Sequence, residues 1–184
     1  MKDLFQLPTD LPVPIDDGAC DHLLGTHIPP VLLLSVSRGR VDIGKVRGTI
    51  VLFFYPMNGI PEALPGLNWD KTPGARGCTP QSCSYRDNHD ELLRLDAQVF
   101  GISSQPIEEQ KEASGRLNLP FELLNDSNFA LADAMNLPTF EYELSKYIKR
   151  VTLIAKDGKI QKVFYPVFPP DKNVCEVINW IKQN

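Results

Sequence analysis

Two cysteines stand five positions apart in Pro73-Gly-Ala-Arg-Gly-Cys78-Thr-Pro-Gln-Ser-Cys83-Ser-Tyr-Arg-Asp87, among two glycines, two prolines and Arg76. What such a pair can do depends on ionisation, because the thiolate is the nucleophile. A free cysteine has a pKa of about 8.5, so only a few per cent is ionised at neutral pH. A helix N-terminus favours the anion through its unpaired N–H groups and macrodipole. The surrounding elements supply that setting. The apolar run Ile50-Val-Leu-Phe-Phe-Tyr55 reads as a strand upstream, and a polar first turn followed by Leu92, Leu93 and Leu95 predicts a helix over 79–96. Pro80 fits a first turn, where its missing N–H has no partner to lose. Strand, loop, cysteine and helix together suit a reactive thiol. The plainer readings are a buried structural Cys78 and a packed helical Cys83. The spacing also suits a pair of zinc ligands, but a second pair is wanting: only Cys20, His22 and His27 cluster elsewhere. No metal, flavin or haem is expected.

The rest of the chain reads as a frame for that loop. Residues 1–30 carry five prolines and form an irregular lead-in. Val31–Val36 and Arg40–Ile43, joined around Arg38-Gly39, fit a β-hairpin. The strand at Ile50–Tyr55 is continuously apolar, as expected when both sheet faces are covered. Residues 57–71 form a fifteen-residue loop insertion with Gly59, Pro61, Pro65 and Gly66; loops of that length are usually functional or mobile. A strand at Gln98–Ser103, a helix at Pro106–Leu117, an extended Phe121–Leu124 and a short helix at Phe129–Met135 follow. Strands at Ile148–Ala155 and Ile160–Tyr165 flank Asp157-Gly158, a strong hairpin signal. A helix over Pro170–Gln183 closes the chain. Alternating strands and helices ending in a hairpin predict a single α/β domain over 1–184, with a mixed central sheet covered by helices on both faces.

The formal net charge of −4 and the hydrophobic content of 42% are ordinary for a globular protein and give no reason to expect nucleic acid. No apolar run is long enough to span a bilayer and the first residues lack a signal-like apolar stretch. Four cysteines without such a signal point to the cytoplasm rather than to a secreted disulfide scaffold.

The segment Cys78-Thr-Pro-Gln-Ser-Cys83-Ser-Tyr-Arg-Asp87 resembles the peroxiredoxins, within the thioredoxin-fold superfamily, and most closely the bacterioferritin-comigratory or Q-type branch. Phe53-Phe-Tyr-Pro56, Val99-Phe-Gly-Ile-Ser103, Leu119-Pro-Phe-Glu-Leu-Leu124, Lys149-Arg150 before Thr152–Ala155, and Asp157-Gly-Lys-Ile160 carry the resemblance across about Val31 to Ile181. It departs from the family at two places. Ala75 stands where a Thr or Ser usually lies, three before the cysteine, which leaves Thr72 and Thr79 as sources of a hydroxyl. The insertion also separates Pro56 from the cysteine, with Pro73 as an alternative active-site proline.

The resemblance implies a thioredoxin-like fold and a thiol peroxidase acting on hydrogen peroxide and organic hydroperoxides. It casts Cys78 as the nucleophile, Cys83 as the resolving thiol and Arg150 as the electrostatic partner. Thr72, Arg76, Gly77 and Thr79 support the substrate site, although Arg76 could equally face solvent. A thioredoxin-type dithiol would recycle the disulfide, and both monomer and homodimer fit. A redox sensor or binding module using the same bond as a switch is the competing reading; a thiol–disulfide oxidoreductase would normally present Cys-x-x-Cys. Cys20 and Cys175 lie outside the pattern and read as buried or incidentally exposed, the place of Cys175 beside Val174 being consistent with packing. His89 reads as a solvated helix residue, and Trp69 as a lid, a docking residue or an ordinary packed aromatic.

Overall fold

The computed structural model describes residues 4–61, 66 and 68–184. Its centre is a mixed sheet in the order β2-β1-β5-β4-β3-β8-β9. The strands are β1 (Leu32–Ser35), β2 (Gly39–Asp42), β3 (Thr49–Phe54), β4 (Ala97–Ser103), β5 (Glu122–Asn125), β8 (Val151–Lys156) and β9 (Lys159–Phe164). Two further strands, β6 (Thr139–Tyr142) and β7 (Ser145–Ile148), make a separate hairpin. The helices are α1 (Cys78–Asp87), α2 (His89–Arg94), α3 (Ile107–Leu117), α4 (Ala130–Ala134) and α5 (Asn173–Gln183). β3 runs parallel to β4, and β4 to β5, while β1 and β8 pair antiparallel at either side.

β3 is the strand around which both cores form. Successive side chains of a strand face opposite ways. Ile50, Leu52 and Phe54 enter one cluster with Ile102, Leu124 and Leu131. Val51, Phe53 and Tyr55 enter the other with Tyr85, Leu92, Val174 and Val177. The six side chains of Ile50–Tyr55, five on β3 and one just past its end, are fully buried, and truncating any of the larger ones to Ala would cost about 2–5 kcal/mol. This double burial is why the segment reads as an unbroken apolar run.

Two expectations need correction. The helix over 79–96 is two helices: Asn88 leaves helical geometry, and its carboxamide donates to the Ser84 carbonyl 2.9 Å away, as short polar side chains do when they compete with the backbone ladder. The strand over Ile148–Ala155 is interrupted at Lys149-Arg150, where the chain passes from β7 to β8. Of the two cysteines outside the motif, Cys20 is buried and Cys175 is exposed, since α5 turns Val174, Val177 and Ile178 inward. At β8–β9, Asp157 (φ 50°) and Gly158 (φ 81°) both take left-handed geometry, as a two-residue hairpin of this hand requires.

In the lead-in, the Asp17 carboxylate accepts from Lys149 at 2.9 Å and from Tyr165 at 2.8 Å, and these two donors hold its pKa down at about 2. Among the described residues no helix is long and apolar enough to cross a membrane.

Candidate active site

Strand pairing sets the site's layout. Phe54 at the end of β3 pairs with Val151 at the start of β8. Arg150, just before β8, therefore stands beside the point where the chain leaves β3 for the loop leading to Cys78. The residue is 3% exposed, and its guanidinium is fixed from several sides. Nη2 donates to the carbonyls of Gly74 (3.2 Å), Ala75 (3.4 Å) and Arg76 (3.3 Å), and Nη1 donates to Gln81 Oε1. Nη2 also lies 3.2 Å from Cys78 Sγ. The Met57 amide donates to the same sulfur at 3.4 Å, and the thiol itself points to the Ala75 carbonyl at 3.6 Å. Two donors and one acceptor thus serve the sulfur both as thiol and as anion.

The loop start is held as firmly. Gln105 and Asn58 exchange two hydrogen bonds of 3.0 Å, and Ser103 Oγ donates to the Pro56 carbonyl at 2.8 Å. Gly77, immediately before α1, has φ 109°, and a Cβ there would lie 2.4 Å from Pro170 Cγ. Only glycine permits both the turn into the helix and this contact.

A cavity of about 10 Å³ adjoins Cys78, bordered by Leu4, Met57, Trp69, Arg76 and Thr79; that is room for roughly one water molecule. Thr79 Oγ1 is buried with no hydrogen-bond partner among the described residues. Thr72 lies elsewhere: its hydroxyl donates to the Asn68 carbonyl at 3.2 Å, and it borders a different cavity of about 230 Å³ shared with Arg150, Ile15 and Phe140. Arg76 does not face solvent; it is 8% exposed and its guanidinium reaches the Gln6 carbonyl at 3.5 Å. Trp69 is packed edge-on against Tyr142 and Tyr147 of the β6–β7 hairpin. Residues 62–65 and 67 of the predicted insertion lie outside the described residues.

Cys83 is buried in the second turn of α1, where burial pushes its thiol pKa up while Arg86 pulls it down. Five helical residues separate Cα atoms by roughly 8–9 Å, beyond the roughly 7 Å a disulfide spans. Both cysteines are free thiols in the intact helix. Arg86 pairs with Asp87 at 2.8 Å near the surface, where such a pair contributes little. His89 is half-buried near Phe121 rather than fully solvated, and burial lowers its pKa. Among the described residues no group of three or more His, Cys, Asp or Glu side chains gathers as a metal site would require.

Sequence reasoning gave no role to Gln81 or Asn173, although Gln81 lies inside the cysteine motif. Asn173 carries no sequence signal beyond its place near the start of the closing helix.

Comparison with known proteins agrees with this geometry. The Redoxin family model matches residues 24–178. Peroxiredoxin Bcp of Bacillus subtilis (strain 168) is 34% identical over 164 residues, which cover 86% of this chain and 94% of that protein. The chloroplastic peroxiredoxin Q of Sedum lineare is 28% identical over 156 residues, 84% of this chain and 75% of the relative. Peroxidoxin BcpB from Mycobacterium tuberculosis, a solved structure, matches with a TM-score of 0.69 at 22% identity, covering 87% of this chain and 96% of its own. A Xanthomonas campestris bacterioferritin comigratory protein matches with a TM-score of 0.67 at 16% identity, over 95% of this chain and 98% of that one. At such identities the structures speak for the fold, which is that of thioredoxin. The chain belongs to the redoxin family, as a peroxiredoxin of the Bcp and Q type.

Proposed function

We propose that Cys78 is the peroxidatic nucleophile, Cys83 the resolving thiol and Arg150 the group that carries the developing charge. Family membership makes the chain a thiol-dependent peroxidase. The observation that carries the assignment is the Arg150 Nη2–Cys78 Sγ contact of 3.2 Å at the start of α1.

The thiolate of Cys78 attacks one peroxide oxygen. A sulfur–oxygen bond forms as the O–O bond breaks, and the departing hydroxide or alkoxide takes a proton from water. Preorganised donors aimed at such a charge are the largest lever an enzyme has. The sulfenic acid then condenses with Cys83, losing water and closing an intramolecular disulfide. That bond requires the first turns of α1, about Thr79–Arg86, to unwind. A dithiol donor of the thioredoxin type, itself oxidised, returns both cysteines to thiols by exchange, which places the protein in a reducing compartment such as the cytoplasm. Thr79, with Gly77 and Arg76 around it, replaces the hydroxyl that Ala75 lacks: its buried Oγ1 awaits a partner beside Cys78, whereas Thr72 is turned away.

NADPH-coupled peroxide turnover with thioredoxin and its reductase tests the assignment on wild type, Cys78→Ser and Cys83→Ser. Continuous turnover by wild type, none by the first variant and a single oxidation by the second are expected. Stoichiometric rather than continuous oxidation of wild type would make the protein a sensor.

A further inference from the structure

Asn173, the first residue of α5, is fully buried and contacts none of the reacting atoms. Its carboxamide oxygen accepts from Thr152 Oγ1 at 2.7 Å, Tyr85 OH at 2.8 Å and Gln81 Nε2 at 3.4 Å. Gln81, also fully buried, turns its own oxygen to Arg150 Nη1. We propose that Asn173 is a positioning residue for the peroxide reaction, acting through Gln81 to hold Arg150 against Cys78; this rests on the assignment of Cys78 and Arg150 above.

The relay has a fixed direction. A guanidinium only donates, so Gln81 must present its oxygen to Arg150, and its NH₂ then faces Asn173. Asn173 must answer with its oxygen. Two shorter bonds, from β8 and from α1, pin that oxygen, and Asn173 Nδ2 donates to Glu176 Oε2 at 3.4 Å within α5. Gln81 therefore rests on an anchored acceptor. Among the described residues the Gln81 NH₂ makes its hydrogen bond to Asn173, and a buried donor that loses its partner favours rotation of its side chain. Rotation takes the oxygen off Nη1 and frees the guanidinium to shift. A displacement of about 1 Å can lower a rate a hundredfold.

The test is the second-order rate of Cys78 oxidation by hydrogen peroxide, measured in the Cys83→Ser background on full-length protein. Asn173→Ala is expected to lower it about tenfold, an attenuated form of the hundredfold loss just stated. Asn173→Asp, made together with Glu176→Gln so that no second carboxylate faces the new one across the 3.4 Å contact, keeps an acceptor oxygen facing the same three donors and should recover most of the rate. In a Gln81→Met background, Asn173→Ala should have no further effect, since linked residues are non-additive. Equal losses in both backgrounds, or no rescue by Asp, would overturn the proposal. Asn173→Ser, a good helix-starting residue too short for Gln81, serves the same comparison if the Ala variant does not fold. An inert wild type would refute the peroxidase assignment instead. The Arg150 Nε–Hε NMR resonance then still reports on the relay: it should move in Asn173→Ala and return in Asn173→Asp with Glu176→Gln, and an unmoved resonance would sink it.

Discussion

Arg150 Nη2 donates to Cys78 Sγ and, at 3.2–3.4 Å, to three successive carbonyls of the loop that presents it. One cation thus shapes the loop and faces the sulfur. A lysine has no planar fork and cannot reach Gln81 and the sulfur together. Arg150→Lys should lower the peroxide rate constant by about a hundredfold with the fold retained, as stopped-flow kinetics beside circular dichroism will show.

Thr79 carries a prediction of opposite signs. Its hydroxyl has no partner among the described residues, so Thr79→Val should leave stability unchanged or raise it by up to about 1 kcal/mol. If that hydroxyl meets the peroxide, the rate should fall about three- to tenfold, the worth of one hydrogen bond. Denaturant midpoints and peroxide kinetics on the same samples decide it; an unchanged rate removes Thr79 from the reaction.

The proposed unwinding of α1 would work against specific contacts. Ser84 Oγ donates to the Asp171 carbonyl at 2.7 Å, tying the middle of α1 to the turn before α5. Ser84→Ala removes one such tie, worth about 0.5–1.5 kcal/mol, and should speed disulfide closure two- to tenfold. Quenched-flow trapping of the sulfenic acid measures this. Amide exchange over 79–86 should rise in oxidised wild type relative to reduced, and equal protection would rule the unwinding out.

Cys20 predicts an alkaline limit. Burial, and then the charges of Asp17 and Asp16, push its pKa up to about 12. The fold therefore favours the neutral thiol, and that stabilisation is complete below the ordinary thiol value of about 8.5 and lost as pH rises towards about 12. Wild type should lose stability across this window more steeply than Cys20→Ala, by urea unfolding at stepped pH.

Gly77 is the sharpest steric test. With φ 109° and Pro170 Cγ 2.4 Å from the position of an added Cβ, Gly77→Ala should destabilise by about 1–3 kcal/mol. It should also slow the peroxide reaction, because the start of α1 moves with it; thermal melts and stopped-flow kinetics check the pair.

The central strands and the Asp157-Gly158 turn were legible because each rests on a local rule: continuous burial in one case, two left-handed residues in the other. The β6–β7 hairpin was not. It turns through Glu143 (φ 54°) and Leu144, neither a turn-forming type, and its stability comes from distant Trp69 packing on Tyr142 and Tyr147. The break at Asn88 was missed because the apolar spacing continues across it. At the site, the cysteines were visible through their neighbours in sequence and Arg150 through the resemblance. Asn173 was not visible, because it meets Gln81 and Thr152 only once α5 has docked.

The chain has two tryptophans, and they stand in different places. Trp69 borders the cavity at Cys78, while Trp180 lies on α5. Intrinsic emission from Trp69 therefore monitors the sulfur's surroundings without any attached dye. A Trp180→Phe background would isolate that optical channel, so that sulfenate formation and helix opening can be followed in one trace as successive changes in brightness.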